Sequence, residues 1–242
     1  MNIALVGYGK MGKAIEQIAL QRGHEITLRI TTENKHQLAD LLKQTEIDVA
    51  IEFTSPEAAL DNVNTCMEAG LSVVCGSTGW NDKLYLAKEK CVDTNTAFLQ
   101  ASNFSIGVNI FFEINKQLAA LMNDWPQYDV QMEEIHHTQK KDSPSGTAIT
   151  IAEQIIDNLR RKKHWHEGSN GGKDEAIALT SLREGTVPGT HKVKYTSAID
   201  DIEIIHTAHN RDGFALGAVL AAEYIRNRKG IFTMADVLSA ES

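Results

Sequence analysis

An apolar run, Ile3-Ala4-Leu5-Val6, leads straight into Gly7-Tyr8-Gly9-Lys10-Met11-Gly12, after which Ile15, Ile18 and Ala19 keep helical spacing as far as Gly23. A strand, a glycine turn and a helix in that order leave few folds open, because each glycine then has its own task. Gly7 permits the tight turn, Gly9 lets a pyrophosphate approach the backbone, and Gly12 allows the helix to pack closely on the strand. The pattern predicts the first βα unit of an α/β, Rossmann-type doubly wound parallel sheet that binds a dinucleotide.

The next hundred residues repeat the alternation. Residues 25–30 alternate as a second strand and residues 36–43 suggest a short helix. Residues 48–53 form a third strand, and Thr54-Ser55-Pro56-Glu57 starts a helix with a capping hydroxyl and an N-terminal proline. A fourth strand, residues 71–75, ends in Gly76-Ser77-Thr78-Gly79, and a fifth, residues 97–100, ends in Ala101-Ser102-Asn103-Phe104. Small and polar residues at successive strand ends suit the cofactor edge of such a sheet, and together with the glycine turn they suggest a nicotinamide site.

From Ser105 the character changes. An apolar helix runs to Leu121, broken at Asp124-Trp125-Pro126, and a second domain begins within or just before it. Residues 128–136 alternate as a strand, and residues 147–161 read as a helix. Residues 163–175, rich in glycine and polar side chains, are expected to be a mobile loop in which His164 and His166 are solvated. Three β-like runs follow, residues 176–183, 191–197 and 201–209, and without helices between them they read as antiparallel neighbours in an open sheet that invites a second subunit. Residues 214–228 read as an amphipathic helix, and residues 233–238 as a capped terminal turn. The expected whole is a doubly wound sheet plus a second α+β domain with an open mixed sheet.

Composition narrows the class. A chain of 242 residues with 42% hydrophobic content can bury a sizeable core. A net charge of −8, with 24 dispersed Lys and Arg, gives no support to nucleic-acid binding. Cys66, Cys75 and Cys91 are odd in number and lack zinc-like spacing, so they read as reduced thiols in a cytoplasmic protein. The apolar strand at the N-terminus has no basic leader, and no apolar run reaches the ~18 residues of a membrane helix. Neither export nor membrane insertion is expected.

Chemistry concentrates in residues 134–148, Glu-Ile-His-His-Thr-Gln-Lys-Lys-Asp-Ser-Pro-Ser-Gly-Thr-Ala. The segment from Asp142 to Thr147 is a turn passing into a helix, whose free N–H groups attract an anion. His136, His137, Lys140 and Lys141 lie just upstream, so cations, a tunable proton donor and an anion nest adjoin, which suits a carboxylate-bearing substrate. On a regular strand His136 and His137 point to opposite faces, and no metal is expected. Either lysine can be a solvated cation. His206 and His209 read as structural.

Taken together, G-Y-G-K-M-G, E-F-T from Glu52, G-S-T-G from Gly76, A-S-N-F-S from Ala101 and H-H-x-x-K-x-D-x-P-S-G-T-A from His136 resemble the dihydrodipicolinate reductase family, over nearly the whole chain. The resemblance implies hydride transfer from NADH or NADPH to a cyclic, unsaturated dicarboxylate in lysine and diaminopimelate synthesis. It implies a nucleotide domain of residues 1–104 completed by 211–242, a substrate and oligomerisation domain of residues 105–210 that closes on it, and a homotetramer built from the second domain's sheets. His136 and Lys140 match the family's proton-donating pair, and His137, Gly146 and Thr147 its substrate-carboxylate contacts. Register alone selects Lys140 over Lys141. The cofactor-binding positions are Gly7, Tyr8, Gly9, Lys10, Met11, Gly12, Thr31, Gly76, Ser77, Thr78, Ala101, Ser102, Asn103 and Phe104. Two departures stand out: Ser143 replaces a common alanine, and Thr31-Thr32 stand where an acidic residue is frequent. The second leaves the choice of cofactor open, with Arg29 or Lys35 able to face a 2′-phosphate and Glu33 able to restore the acidic pattern.

Overall fold

The computed structural model describes residues 1–168, 175–210 and 212–240. The chain divides into two compact units, Met1–Ile106 with Asp212–Ser242, and Gly107–Arg211.

The first unit begins with β1 (Asn2–Val6), α1 (Lys10–Gln21), β2 (Glu25–Ile30), α2 (Leu38–Gln44), β3 (Val49–Glu52), α3 (Pro56–Glu68), β4 (Ser72–Cys75), α4 (Leu84–Asp93) and β5 (Ala97–Gln100). These strands are parallel in the order β5-β4-β3-β1-β2. Both faces are covered, so the strands are apolar throughout rather than alternating. Ile3 and Leu5 pack with Ile15 and Ala19 of α1 on one side. Ala4 and Val6 pack with Leu38 and Leu42 of α2 and with Ala59 and Val63 of α3 on the other. With β2 and β3 on opposite sides of β1, the sheet has its crevice at the carboxyl end of β1, directly over the glycine turn. Ser55 occupies the N-cap of α3, but its hydroxyl makes no capping bond. It hydrogen-bonds the Glu57 carboxylate, which with that residue's own N–H holds Glu57 below its ordinary pKa.

The second unit contains most of α5 (Ile106–Leu121), then β6 (Asp129–His136), α6 (Gly146–Asn158), β7 (His164–Glu167), β8 (Ala176–Arg183), β9 (Gly189–Thr196) and β10 (Asp201–Ala208). Val130, Met132, Ile177, Leu179, Val193 and Tyr195 turn one sheet face to α5 and α6. The opposite face is polar, with Lys192 paired to Glu203 at 3.0 Å and Lys194 to Asp201 at 2.6 Å.

The strand order is β10-β9-β6-β8-β7, which corrects the expectation of three consecutive antiparallel neighbours. Of the three runs only β9 and β10 pair that way, β9 being antiparallel to β6 as well; β8 runs parallel to β6 and β7. The strand buried at Val130, Met132, Glu134 and His136 takes the centre, where both its edges are hydrogen-bonded, and this inserts β6 between β8 and β9. The expected 163–175 loop is corrected in part, because residues 164–167 pair with β8 as an edge strand. Residues 169–174 of that loop lie outside the described residues.

The C-terminal segment returns to the first unit as α7 (Asp212–Ile225), β11 (Gly230–Phe232) and α8 (Met234–Ser239). β11 extends the parallel sheet beside β5. Three residues are too few to show a period, so this strand was not legible in the sequence. Nor is α7 amphipathic: Ala215, Gly217, Ala218, Val219, Ala221, Ala222 and Ile225 are buried around it. A Cβ at Gly217 would lie 1.7 Å from the Phe104 carbonyl oxygen, so only glycine admits this approach. A capping box of Thr233 and Asp236 starts α8.

Candidate active site

At the carboxyl edge of the first sheet, the glycine turn divides its work as the sequence suggests. Gly7 adopts φ +102°, and a Cβ there would lie 2.1 Å from the Phe53 carbonyl oxygen. A Cβ on Gly12 would lie 2.4 Å from the Gly7 oxygen, whereas one on Gly9 would meet nothing within 4 Å. The protein's own packing therefore requires Gly7 and Gly12, while Gly9 keeps open space. Gly7, Tyr8, Gly9, Thr31, Lys35 and Thr54 line a cavity of about 470 Å³ there. The Gly7 and Tyr8 N–H groups both donate to the Ile30 carbonyl at 3.0 Å, tying the turn to the end of β2. Asn34 Oδ1 accepts from the Thr31 N–H at 2.7 Å. Arg29 does not line this cavity; it donates to Glu16 at 3.1 Å and to the Ile26 carbonyl at 3.1 Å. Lys35 is the cation among the lining residues.

One carboxylate joins the neighbouring turns. Glu52 is fully buried at the end of β3 and accepts from the Thr54 N–H at 3.0 Å, the Cys75 thiol at 2.9 Å and the Ser77 hydroxyl at 3.1 Å. Burial and this carboxylate push the Cys75 thiol far up. Burial pushes Cys66 up to about 12. All three cysteines are free and buried, which makes them unreactive thiols.

The second centre follows from strand register. Along β6, Glu134 and His136 share the face of Val130 and Met132, because successive side chains alternate. β9 places His191 opposite Glu134, and β8 places Arg183 opposite His136. Four polar groups thus meet where the apolar core ends. Glu134 is fully buried, and His136 and His191 are 7% and 6% exposed. Glu134 Oε1 accepts from the Ser145 N–H at 3.0 Å and from Arg183 Nη2 at 3.2 Å. Its Oε2 lies 3.2 Å from His136 Nδ1 and 3.8 Å from His191 Nε2, the first contact being ion-pair proximity without the alignment of a hydrogen bond. Arg183 also donates to the Asp142 carbonyl at 2.6 Å, and Lys140 pairs with the Asp142 carboxylate at 2.9 Å. The Ser145 hydroxyl accepts from the Ala148 N–H at 3.1 Å, capping α6.

Burial alone would raise the Glu134 carboxyl, but His136 and the hydroxyl and N–H of Ser145 outweigh it and hold the group well below the usual carboxylate range. Burial, reinforced by His136, lowers His191 to about 3, so it is neutral at physiological pH. Glu134, His136 and His191 each offer a ligand atom within 4.8 Å of the others, a set able in composition to hold a divalent ion. The guanidinium on the same carboxylate already supplies positive charge, which favours a polar network over a metal centre.

Residues 1–104 match the family described as "Dihydrodipicolinate reductase, N-terminus", and residues 107–238 match "Dihydrodipicolinate reductase, C-terminus". A 4-hydroxy-tetrahydrodipicolinate reductase of Christiangramia forsetii is 51% identical, over 99% of this chain and 98% of the relative. The chain belongs to the dihydrodipicolinate reductase family. A second reductase of the same name, from Methanococcoides burtonii, is 36% identical over 95% of this chain and 86% of its own. A dipicolinate-bound dihydrodipicolinate reductase from Paenisporosarcina sp. TG-14 shares the fold, with a TM-score of 0.76 at 19% identity over 96% and 97% of the two chains.

In this reductase, Gly7, Tyr8, Gly9 and Thr31 gather at one cavity. Lys10, Met11 and Gly12 open α1, while Gly76, Ser77 and Thr78 follow β4 and Ala101, Ser102, Asn103 and Phe104 follow β5, all at one sheet edge. Asn103 and Phe104 are buried, and Asn103 Oδ1 accepts from the Ser105 N–H at 2.9 Å. His136 sits in the Glu134 cluster; His137 is half-buried, with Nδ1 enclosed and unpartnered. Lys140 is half-buried and Lys141 exposed. Gly146 and Thr147 form the first turn of α6. His206 packs edge-on to Phe111 at 6.3 Å, and burial lowers its pKa. Sequence reasoning assigned no role to Glu134 and missed His191 and Arg183. Their signal is a lone polar residue at an inward position of a strand, which becomes visible only once the sheet register is known.

Proposed function

We propose that this protein reduces 4-hydroxy-tetrahydrodipicolinate (dihydrodipicolinate) to tetrahydrodipicolinate with NADH or NADPH, in lysine and diaminopimelate biosynthesis. The near-full-length identity of 51% to a reductase of that name carries the reading. The test is a coupled assay with purified protein, reduced nucleotide and freshly generated substrate; absence of nucleotide oxidation rejects it.

In this reading residues 1–104 and 211–242 bind the nucleotide, and residues 105–210 bind substrate. The bound nicotinamide supplies a hydride. Negative charge then develops elsewhere in the conjugated ring, and His136 with Lys140 supplies the proton and offsets that charge. His137 and the start of α6 at Gly146 and Thr147 hold a carboxylate, since the first N–H groups of a helix lack intrahelical partners. Pyridine-2,6-dicarboxylate, a planar diacid, is accordingly expected to inhibit competitively with substrate, and Thr147→Val to weaken it about tenfold. Inhibition competitive with nucleotide instead would move the diacid to another site.

Both nucleotides are expected to serve. Thr31, Thr32 and Lys35 line the cavity, and Glu33 is exposed outside its lining. Kinetics at fixed ionic strength check this: a kcat/KM for NADH more than about a hundredfold above that for NADPH, roughly 2.7 kcal/mol, overturns it. A homotetramer in the cytoplasm completes the proposal. The edge strand β10 supports it, with Ile205 57% exposed.

A further inference from the structure

We infer that Glu134 is the positioning residue for His136, and that Arg183, His191 and Gly189 complete a frame which presents one imidazole nitrogen to the substrate. The inference rests on the reading of His136 as proton donor and deepens it.

Three observations carry it. First, the two imidazole nitrogens have different surroundings. Nδ1 faces the buried Glu134 carboxylate at 3.2 Å, while a Cβ on Gly189 would lie 3.1 Å from Nε2 and 3.3 Å from Cδ2. A glycine at the start of β9 therefore keeps clear the side of the ring that any side chain would crowd. Second, the carboxylate is itself fixed. The Ser145 N–H and Arg183 hold Oε1, leaving Oε2 toward the histidines, and among the described residues neither Glu134 Oε2 nor His136 Nδ1 has a hydrogen-bond partner, so each is left to face the other. Third, the His191 ring packs edge-on against His136 at 5.1 Å, with its Nε2 3.4 Å from the Ser145 hydroxyl. It walls the cluster without adding charge.

The consequence is geometric. When hydride adds to the ring, an electron pair is left in the conjugated system. The N–H bond of His136 breaks, its proton joins that pair, and neutral imidazole remains. A carboxylate facing Nδ1 orients the ring with Nε2 outward. Among the described residues, the charged or titratable groups around this pair include Arg183 from β8, His191 from β9, His206 from β10, Lys140 and Asp142 from the connection to α6, and Glu184, whose N–H donates to the His136 carbonyl at 2.7 Å. The Asp142 carboxylate is paired with Lys140.

The test compares kcat and KM for Glu134→Gln, Glu134→Asp and Gly189→Ala, each with its nucleotide dissociation constant. Glu134→Gln is expected to lower kcat at least about tenfold with KM and nucleotide affinity within a factor of about two, because the ring loses its orientation and not its binding partners. Glu134→Asp keeps the carboxylate and should recover part of that kcat. Gly189→Ala leaves every Glu134 contact in place and should lower kcat at least about fivefold by displacing the His136 ring, which keeps the inference testable if the buried Glu134 variants fold poorly. A Glu134→Gln enzyme or a Gly189→Ala enzyme with parental kcat overturns it, as does a loss in Glu134→Gln that falls equally on nucleotide affinity. So does one equivalent of a divalent metal in the purified enzyme that is lost in Glu134→Gln, because the carboxylate would then be a ligand. Full activity in His136→Gln would instead reject the underlying reading, a result distinguishable from either.

Discussion

Replacing Lys140 by alanine is expected to lower kcat by about 10²–10⁴ while leaving nucleotide binding within a factor of two, since a proton donor acts on charge that exists only in the transition state. The choice between adjacent lysines is physical as well as a matter of register. Lys140 is half-buried, with its ammonium 2.9 Å from the Asp142 carboxylate, close to the start of α6. The backbone at Asp142 is in turn held by Arg183, which donates to its carbonyl at 2.6 Å. Burial would raise the Asp142 carboxyl, but Lys140 holds it below its ordinary value, so this carboxylate stays ionised at neutral pH. Lys141 is exposed, and an exposed lysine loses little when truncated. Lys141→Ala should therefore behave like the parent enzyme. Steady-state kinetics and nucleotide titration of both variants decide the matter; a crippled Lys141→Ala beside a normal Lys140→Ala would reverse the assignment.

The glycine turn should separate binding from stability. Gly9→Ala is expected to leave the melting temperature within about 2 °C of the parent, because φ is −88° there and an added methyl meets nothing within 4 Å. The same methyl would occupy space into which a pyrophosphate must descend, raising the nucleotide dissociation constant at least about tenfold, or ~1.4 kcal/mol. Gly12→Ala should do the reverse first. Its Cβ would lie 2.4 Å from a backbone oxygen of the turn, which cannot move aside as a flexible side chain can, and overpacking of this kind costs about 1–3 kcal/mol. Thermal unfolding and fluorescence titration with NADPH test the pair. Unchanged nucleotide affinity in Gly9→Ala would remove the turn from the binding site.

The nucleotide half was legible in the sequence because its signals are local. Strand 25–30 and strand 97–100 have the expected bounds in the structure, and the glycines carry constraints that act within a dozen residues or between adjacent strand ends. The His136–Ala148 motif is likewise contiguous and long, and it carried the resemblance. What the sequence left open depends on pairing between distant strands. Nothing near residue 134 reveals that His191 stands opposite Glu134, 57 positions later, or that Arg183 stands opposite His136. The three β-like runs look alike in isolation, and their order follows from which strand gains most by having both edges bonded and one face buried. Alternation assigned each residue of β6 to a face, whereas tertiary packing decided that its last two inward positions, Glu134 and His136, would share one buried cluster with Arg183 and His191.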